Sequence, residues 1–212
     1  MTNSQFKMVA TKKHLKPASR REQIINAADL VLLDVGVKDF TIDKVVEYLG
    51  IAKGTVYKYF QSKDDVLAEV STKALNQLLN YFKMSERNSP DGPEKTKAVI
   101  MSCYHYSKDY PKYFELIVYL ERPEFKTSAE SHRKASTKIQ EFFIGHIELQ
   151  KEQGYFKKNI NPMMMNYLCW GSSMGVMQFL DSKRAFLEQE QNISQEELMT
   201  SFVEVFVNGM TK

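Results

Sequence analysis

The sequence predicts an all-α chain of about nine helices, and three observations carry that reading. Apolar residues recur at spacings of three and four almost throughout, with no sustained alternation of apolar and polar positions. Serine and threonine stand where helices should begin, several with an acid three residues on. Pro93, Pro111 and Pro162 each open an apolar-periodic segment, where the missing amide costs nothing.

Ser19-Arg-Arg-Glu22 reads as a capping box and starts the first helix. Ile24, Ala28, Val31 and Val35 then lie on one face, and Gly36 supplies the stop. Thr41 caps a short helix carrying Ile42, Val45, Val46 and Leu49, which Gly50 breaks. A second short helix follows, with Ala52, Val56 and Phe60 along one side. Ser62-Lys-Asp-Asp65 resembles a capping box with Asp in the acidic place, and it opens a long helix. Leu67, Val70, Ala74, Leu78 and Phe82 form its buried face, and it ends in the loop from Ser89 to Pro93. Five more helices are expected over residues 93–108, 111–121, 125–152, 162–182 and 194–211. Gly154 ends the third of these, and Ser194-Gln-Glu-Glu197 is another capping box.

Composition narrows the class. The chain of 212 residues is 43% hydrophobic and 26% charged, ordinary for a globular protein of one domain or two modest ones. Its net charge is +3, and the whole excess lies in the first 66 residues, where a polyanion would be met. A solvated basic tail explains that excess equally well. The N-terminus lacks the apolar stretch of a signal peptide, and no run approaches the roughly 20 apolar residues of a membrane span. A cytoplasmic protein without a membrane partner is therefore expected. Cys103 and Cys169 have no neighbours at zinc-ligand spacing and read as buried thiols. No nucleophile elbow, phosphate-cradling glycine loop or dinucleotide fingerprint is present, so no enzyme, metal or cofactor is expected. Glu196 and Glu197 stand at a helix start, where the dipole explains them.

The two short helices over residues 41–60 have the form of a helix-turn-helix. Helices of about eight residues are unstable alone, so neighbours must hold them. The free side of the second carries Lys53, Thr55, Tyr57, Lys58 and Tyr59, which suit phosphates and base edges in a major groove. An αα-hairpin with the same surface also occurs in proteins that never touch DNA.

The run from Thr41 to Asp64 decides between these readings. Gly50-Ile-Ala-Lys53-Gly-Thr-Val-Tyr57-Lys-Tyr59-Phe60-Gln-Ser-Lys63-Asp64 closely resembles the DNA-binding signature of the TetR/AcrR family of transcriptional regulators. The first helix, with Ile24-Ile-Asn-Ala-Ala28, looks like that family too, and the likeness covers roughly residues 20–68.

The resemblance implies a ligand-responsive regulator, a homodimeric repressor that leaves its operator when a small apolar or aromatic molecule binds. The alternative is a helical interaction protein without specific DNA binding. A tail over residues 1–18, a helix-turn-helix domain over 19–66 and an effector-binding and dimerisation domain over 67–212 are implied. Thr41 would cap its helix and touch phosphate. Lys53, Gly54 and Thr55 would enter the groove, Gly54 permitting close backbone approach. Tyr57 and Lys58 would face bases or phosphates, while Tyr59 and Lys63 would meet phosphates. Lys7, Lys12, Lys13 and Lys16, with Arg20 and Arg21, would form either a DNA-tracking arm or a solvated tail.

The same resemblance places a dimer contact on the last two helices, with Gly171, Gly175, Phe202 and Phe206 as candidates. A small-molecule effector would sit between the middle helices. Met101, Tyr104, His105, Phe114, Ile117, Phe142, His146, Trp170, Met174 and Met177 are the candidate lining, since methionine and aromatic side chains suit an adaptable apolar cavity.

Overall fold

A computed structural model describes residues 19–212, and among them the regular structure is helical. The lysines of the expected basic arm, Lys7, Lys12, Lys13 and Lys16, lie outside the described residues. The elements are α1 (Arg20–Val35), α2 (Ile42–Leu49), α3 (Lys53–Tyr57), α4 (Lys63–Asn88), α5 (Pro93–Asp109), α6 (Pro111–Leu120), α7 (Glu130–Glu152), α8 (Pro162–Ser182) and α9 (Gln195–Met210).

Local chemistry sets most of these ends. Ser19 and Glu22 close a reciprocal capping box at α1, and Ser194 and Glu197 do the same at α9. Thr41 accepts from the Lys44 amide at the start of α2, and Gly50 ends α2 in the left-handed conformation. Pro93, Pro111 and Pro162 occupy the first turns of α5, α6 and α8.

Four features depart from the sequence expectations. The helix expected over 125–152 begins only at Glu130. Asp65 takes the Thr127 hydroxyl and the Ser128 amide at 2.9 and 3.1 Å, holding residues 121–129 as a loop against α4. Asp65 itself does not complete a capping box, although Ser62 Oγ accepts from its amide at 3.1 Å. Its carboxylate accepts from the Gln61 amide at 3.2 Å instead. Ala52 is exposed rather than buried, because α3 starts at Lys53 and leaves Ala52 in extended backbone. A π-helical turn at Phe186–Glu190, packed through Leu187, joins α8 to α9 and has no counterpart in the periodicity.

Packing is organised around α4. It lies against α1, α5, α6 and α7, and its face of Leu67, Val70, Ala74, Leu78 and Phe82 is buried. Ile24, Ala28, Phe40, Val45, Val56 and Phe60 join that core from the N-terminal elements. Outside it, α8 packs on α7 and α9, and α9 on α5. No helix among the described residues is long and apolar enough to cross a membrane.

Candidate DNA-binding surface and effector cavity

The short helix α3 is held from one side. Val56 is fully buried, and Phe60 packs just past the helix end with the Arg21 guanidinium 5.1 Å above its ring. Arg21 is fixed in turn by Glu69 of α4 at 2.5 Å, so one of the expected arm residues serves packing. Gly50, at φ 65° and ψ 38°, makes the turn that sets α3 across α2.

The opposite side of α3 is open. Lys53, Gly54, Tyr57, Lys58 and Tyr59 are exposed and Thr55 is half-buried, with Tyr57 and Tyr59 showing 47% and 46% of their surface. A Cβ added at Gly54 would meet nothing within 4 Å, so no contact inside the chain asks for glycine there. Lys53 reaches back to Asp43 in the first turn of α2 at 2.8 Å. That hydrogen bond holds the ammonium above its ordinary value. Thr41 is exposed beside them. Lys63 is turned inward instead: its Nζ donates to the Phe40 carbonyl at 3.2 Å and lies 5.7 Å over the Tyr119 ring.

A cavity of about 170 Å³ opens among α4, α5, α7 and α8, with Glu121 at the end of α6 on its wall. Leu75, Phe82, Val99, Ile100, Ile139 and Phe143 make its apolar part. Ser136, Gln140, Asn166, Ser173, Tyr167 and Trp170 add polar groups, and the Trp170 indole donates to Glu121 at 3.3 Å. Cys103 and Cys169 also line it; desolvation pushes both thiols up, Cys169 to about 12, so neither is a ready nucleophile.

Of the ten lining residues expected from sequence, this cavity takes Trp170. Tyr104 is buried with the Lys108 ammonium 5.0 Å over its ring, and His105 is exposed. Ile117 and Met177 belong to the core, while Met101 and Phe114 pack against it. Met174 is half-buried, and Phe142 stacks on Phe82 at 6.0 Å. His146 is buried between Thr96 and Glu86, each at 2.8 Å. Helical spacing identifies inward positions, but the gap falls where neighbouring helices diverge, which spacing does not encode. Glu121, Gln140 and Asn166 were missed; a signal existed in polar residues interrupting otherwise inward-facing stripes.

On the outer side of α8, Met164, Leu168, Gly171, Gly175 and Phe179 are exposed. On α9, Val205 is exposed and Phe202 and Phe206 are half-buried, their rings 5.9 Å apart. A Cβ at Gly171 or Gly175 would also meet nothing within 4 Å.

Residues 24–70 match the family model of the bacterial regulatory proteins of the tetR family. This segment, from α1 into α4, carries the tetR-family signature. The chain is similar to the fatty acid metabolism regulator protein of Bacillus subtilis, with 24% identity over 69% of this chain and 61% of that one. It is also similar to the HTH-type transcriptional repressor KstR2 of Mycolicibacterium smegmatis, with 27% identity over 42% of this chain and 43% of that one. The chain thus spans less than two thirds of the length of either relative. Among solved structures, the fold matches the fatty acid degradation regulator FadR of Bacillus halodurans with a TM-score of 0.65 at 20% identity, covering 91% of this chain and 97% of that one. It matches FadR of Bacillus subtilis, solved in complex with stearoyl-CoA, with a TM-score of 0.60 at 19% identity, covering 89% and 98%.

Proposed function

We propose that this chain is a homodimeric, ligand-responsive transcriptional repressor of the tetR family that reads double-stranded DNA with α3. The observation that carries the reading is the open side of α3 and the turn after it: Lys53, Gly54, Tyr57, Lys58 and Tyr59 are exposed on a segment anchored from behind by Val56 and Phe60. Gly54 supports it independently, because glycine at an unconstrained exposed helix position lowers stability by roughly 0.5–1 kcal/mol relative to alanine. Close approach of a DNA backbone gives that glycine its use.

Two copies pair through the exposed apolar faces of α8 and α9, which sets two reading heads at the spacing of successive major grooves. The effector occupies the cavity behind α4. Leu75 and Phe82 of α4 line that cavity, and the same helix begins directly behind α3. A ligand that shifts α4 therefore changes the separation of the heads. A second tie runs beside it: Arg122, adjacent to the cavity residue Glu121, grips Asp64 at the start of α4 with two bonds of 2.6 Å. Several kcal/mol of DNA affinity depend on both heads fitting at once, so a small displacement releases the operator.

The test is fluorescence anisotropy on DNA selected from the genome by the protein itself, over a salt series with competitor DNA. Tyr57→Ala and Lys58→Ala are expected to abolish specific binding. Lys53→Ala is expected to lower the slope of log K against log salt by about 0.9, the share of one phosphate contact. Failure to select any DNA sequence sinks the regulator reading and leaves that of a helical interaction protein.

A further inference from the structure

The effector cavity has one-sided electrostatics. Among the residues that line it, Glu121 is the single acidic side chain, and no lysine, arginine or histidine shares the wall. The neighbouring cation, Arg122, points away to Asp64 and stacks on Tyr119 with its guanidinium carbon 4.0 Å from the ring centroid. Glu121 accepts from the Trp170 indole and stays exposed, so its carboxylate retains acceptor sites at the mouth of the cavity. Two aromatic rings, Trp170 and Tyr167, line the same cavity.

We propose that this cavity takes a compact ligand with an apolar body and a cationic head, a protonated amine or quaternary ammonium, seated against Glu121 beside Trp170 and Tyr167. The inference rests on the effector reading above and names the ligand's class. Each part of the ligand answers a feature of the wall. The body lies among Leu75, Phe82, Val99, Ile100, Ile139 and Phe143, which remove it from water. The cavity, at about 170 Å³, is close in size to one that encloses a single benzene ring, so the enclosed body is one ring with a short chain. The head remains at the mouth, where an exposed carboxylate supplies an opposite charge without the cost of burying an ion pair. Aromatic faces attract a cation through their quadrupole. A free carboxylate head meets the reverse at every point: a like charge at Glu121 and no donor cation on the wall.

The experiment uses the full chain and three probes that share a phenylbutyl body: 4-phenylbutylamine, 4-phenylbutanol and 4-phenylbutyrate. Trp170 is the single tryptophan of the chain, so its fluorescence reports occupancy directly. The amine is expected to bind at least tenfold tighter than the alcohol, with the carboxylate weakest. Glu121→Gln is expected to bring the amine down to the alcohol, and Glu121→Asp to keep the amine ahead. Calorimetric titration of the same variants guards against a change in the fluorophore alone. A carboxylate that binds as tightly as the amine overturns the proposal, as does a preference that survives Glu121→Gln or a lack of saturable binding by all three probes. The titration contains no DNA, so loss of the head-group preference with operator binding intact removes this inference alone. The converse result removes only the regulator reading.

Discussion

His146 is 3% exposed and bonded on both ring nitrogens, with Glu86 on Nδ1 and the Thr96 hydroxyl on Nε2. A carboxylate accepts only from an N–H, so the neutral ring carries its proton on Nδ1 and accepts from Thr96. Desolvation holds the imidazole below its ordinary 6.5, outweighing the pull of Glu86 in the other direction. His132 is lowered in the same way, its Nδ1 against the Ser71 hydroxyl at 2.7 Å. The consequence has a definite sign. Below pH 6.5 the unfolded chain takes up these protons while the folded chain does not, so stability falls as pH drops through that value. Each histidine contributes a slope of at most about 1.4 kcal/mol per pH unit. Urea denaturation at pH 7.5, 6.5 and 5.5 is expected to show this decline, and His146→Gln to flatten it. A variant with the wild-type slope would place the proton uptake elsewhere.

Asp65 joins two elements that are distant in sequence. Its carboxylate is 6% exposed and accepts from the Gln61 amide, the Thr127 hydroxyl and the Ser128 amide, stapling the loop between α6 and α7 to the start of α4. Those bonds lower its pKa despite burial, so its stabilisation is present above the ordinary carboxylate range and is lost as pH falls through the lowered value. Removing the acceptor strands several donors at once, and Asp65→Ala is expected to destabilise by about 2–4 kcal/mol. Asp65→Asn, which retains one acceptor oxygen, should cost less. Chemical denaturation of the two variants checks both the size and the order; equal losses would mean that charge, not acceptor number, matters there. The same staple explains why the helical periodicity of residues 125–129 is not realised. Tertiary hydrogen bonds to Thr127 and Ser128 outcompete one turn of helix, whose own formation is nearly neutral.

At the scale of the molecule, the exposed apolar faces of α8 and α9 are the surface that the proposed dimer must cover. Leu168 is 52% exposed and Val205 75%, so Leu168→Asp and Val205→Asp should leave the fold of one chain intact. Light scattering is expected to show the double variant as a monomer, and its operator affinity to drop at least a hundredfold as two-headed binding is lost. A variant that stays dimeric would move the interface off this surface.

Sequence alone determined most of the helices and the side of α3 left open. Caps at Ser19, Thr41, Ser62 and Ser194 and the prolines of α5, α6 and α8 act over three or four residues, a range that local chemistry spans. Burial of Leu67, Val70, Ala74, Leu78 and Phe82 was legible for the same reason, since helical spacing orients side chains before any partner is known. The tertiary structure decided what long-range contacts decide. It turned Lys63 toward the Phe40 carbonyl and spent His146 on Thr96 and Glu86. It also put Glu121, not the expected methionines, on the cavity wall. A cavity is the space that packed helices fail to fill, and its place depends on how four helices diverge, which the residues of any one of them leave open.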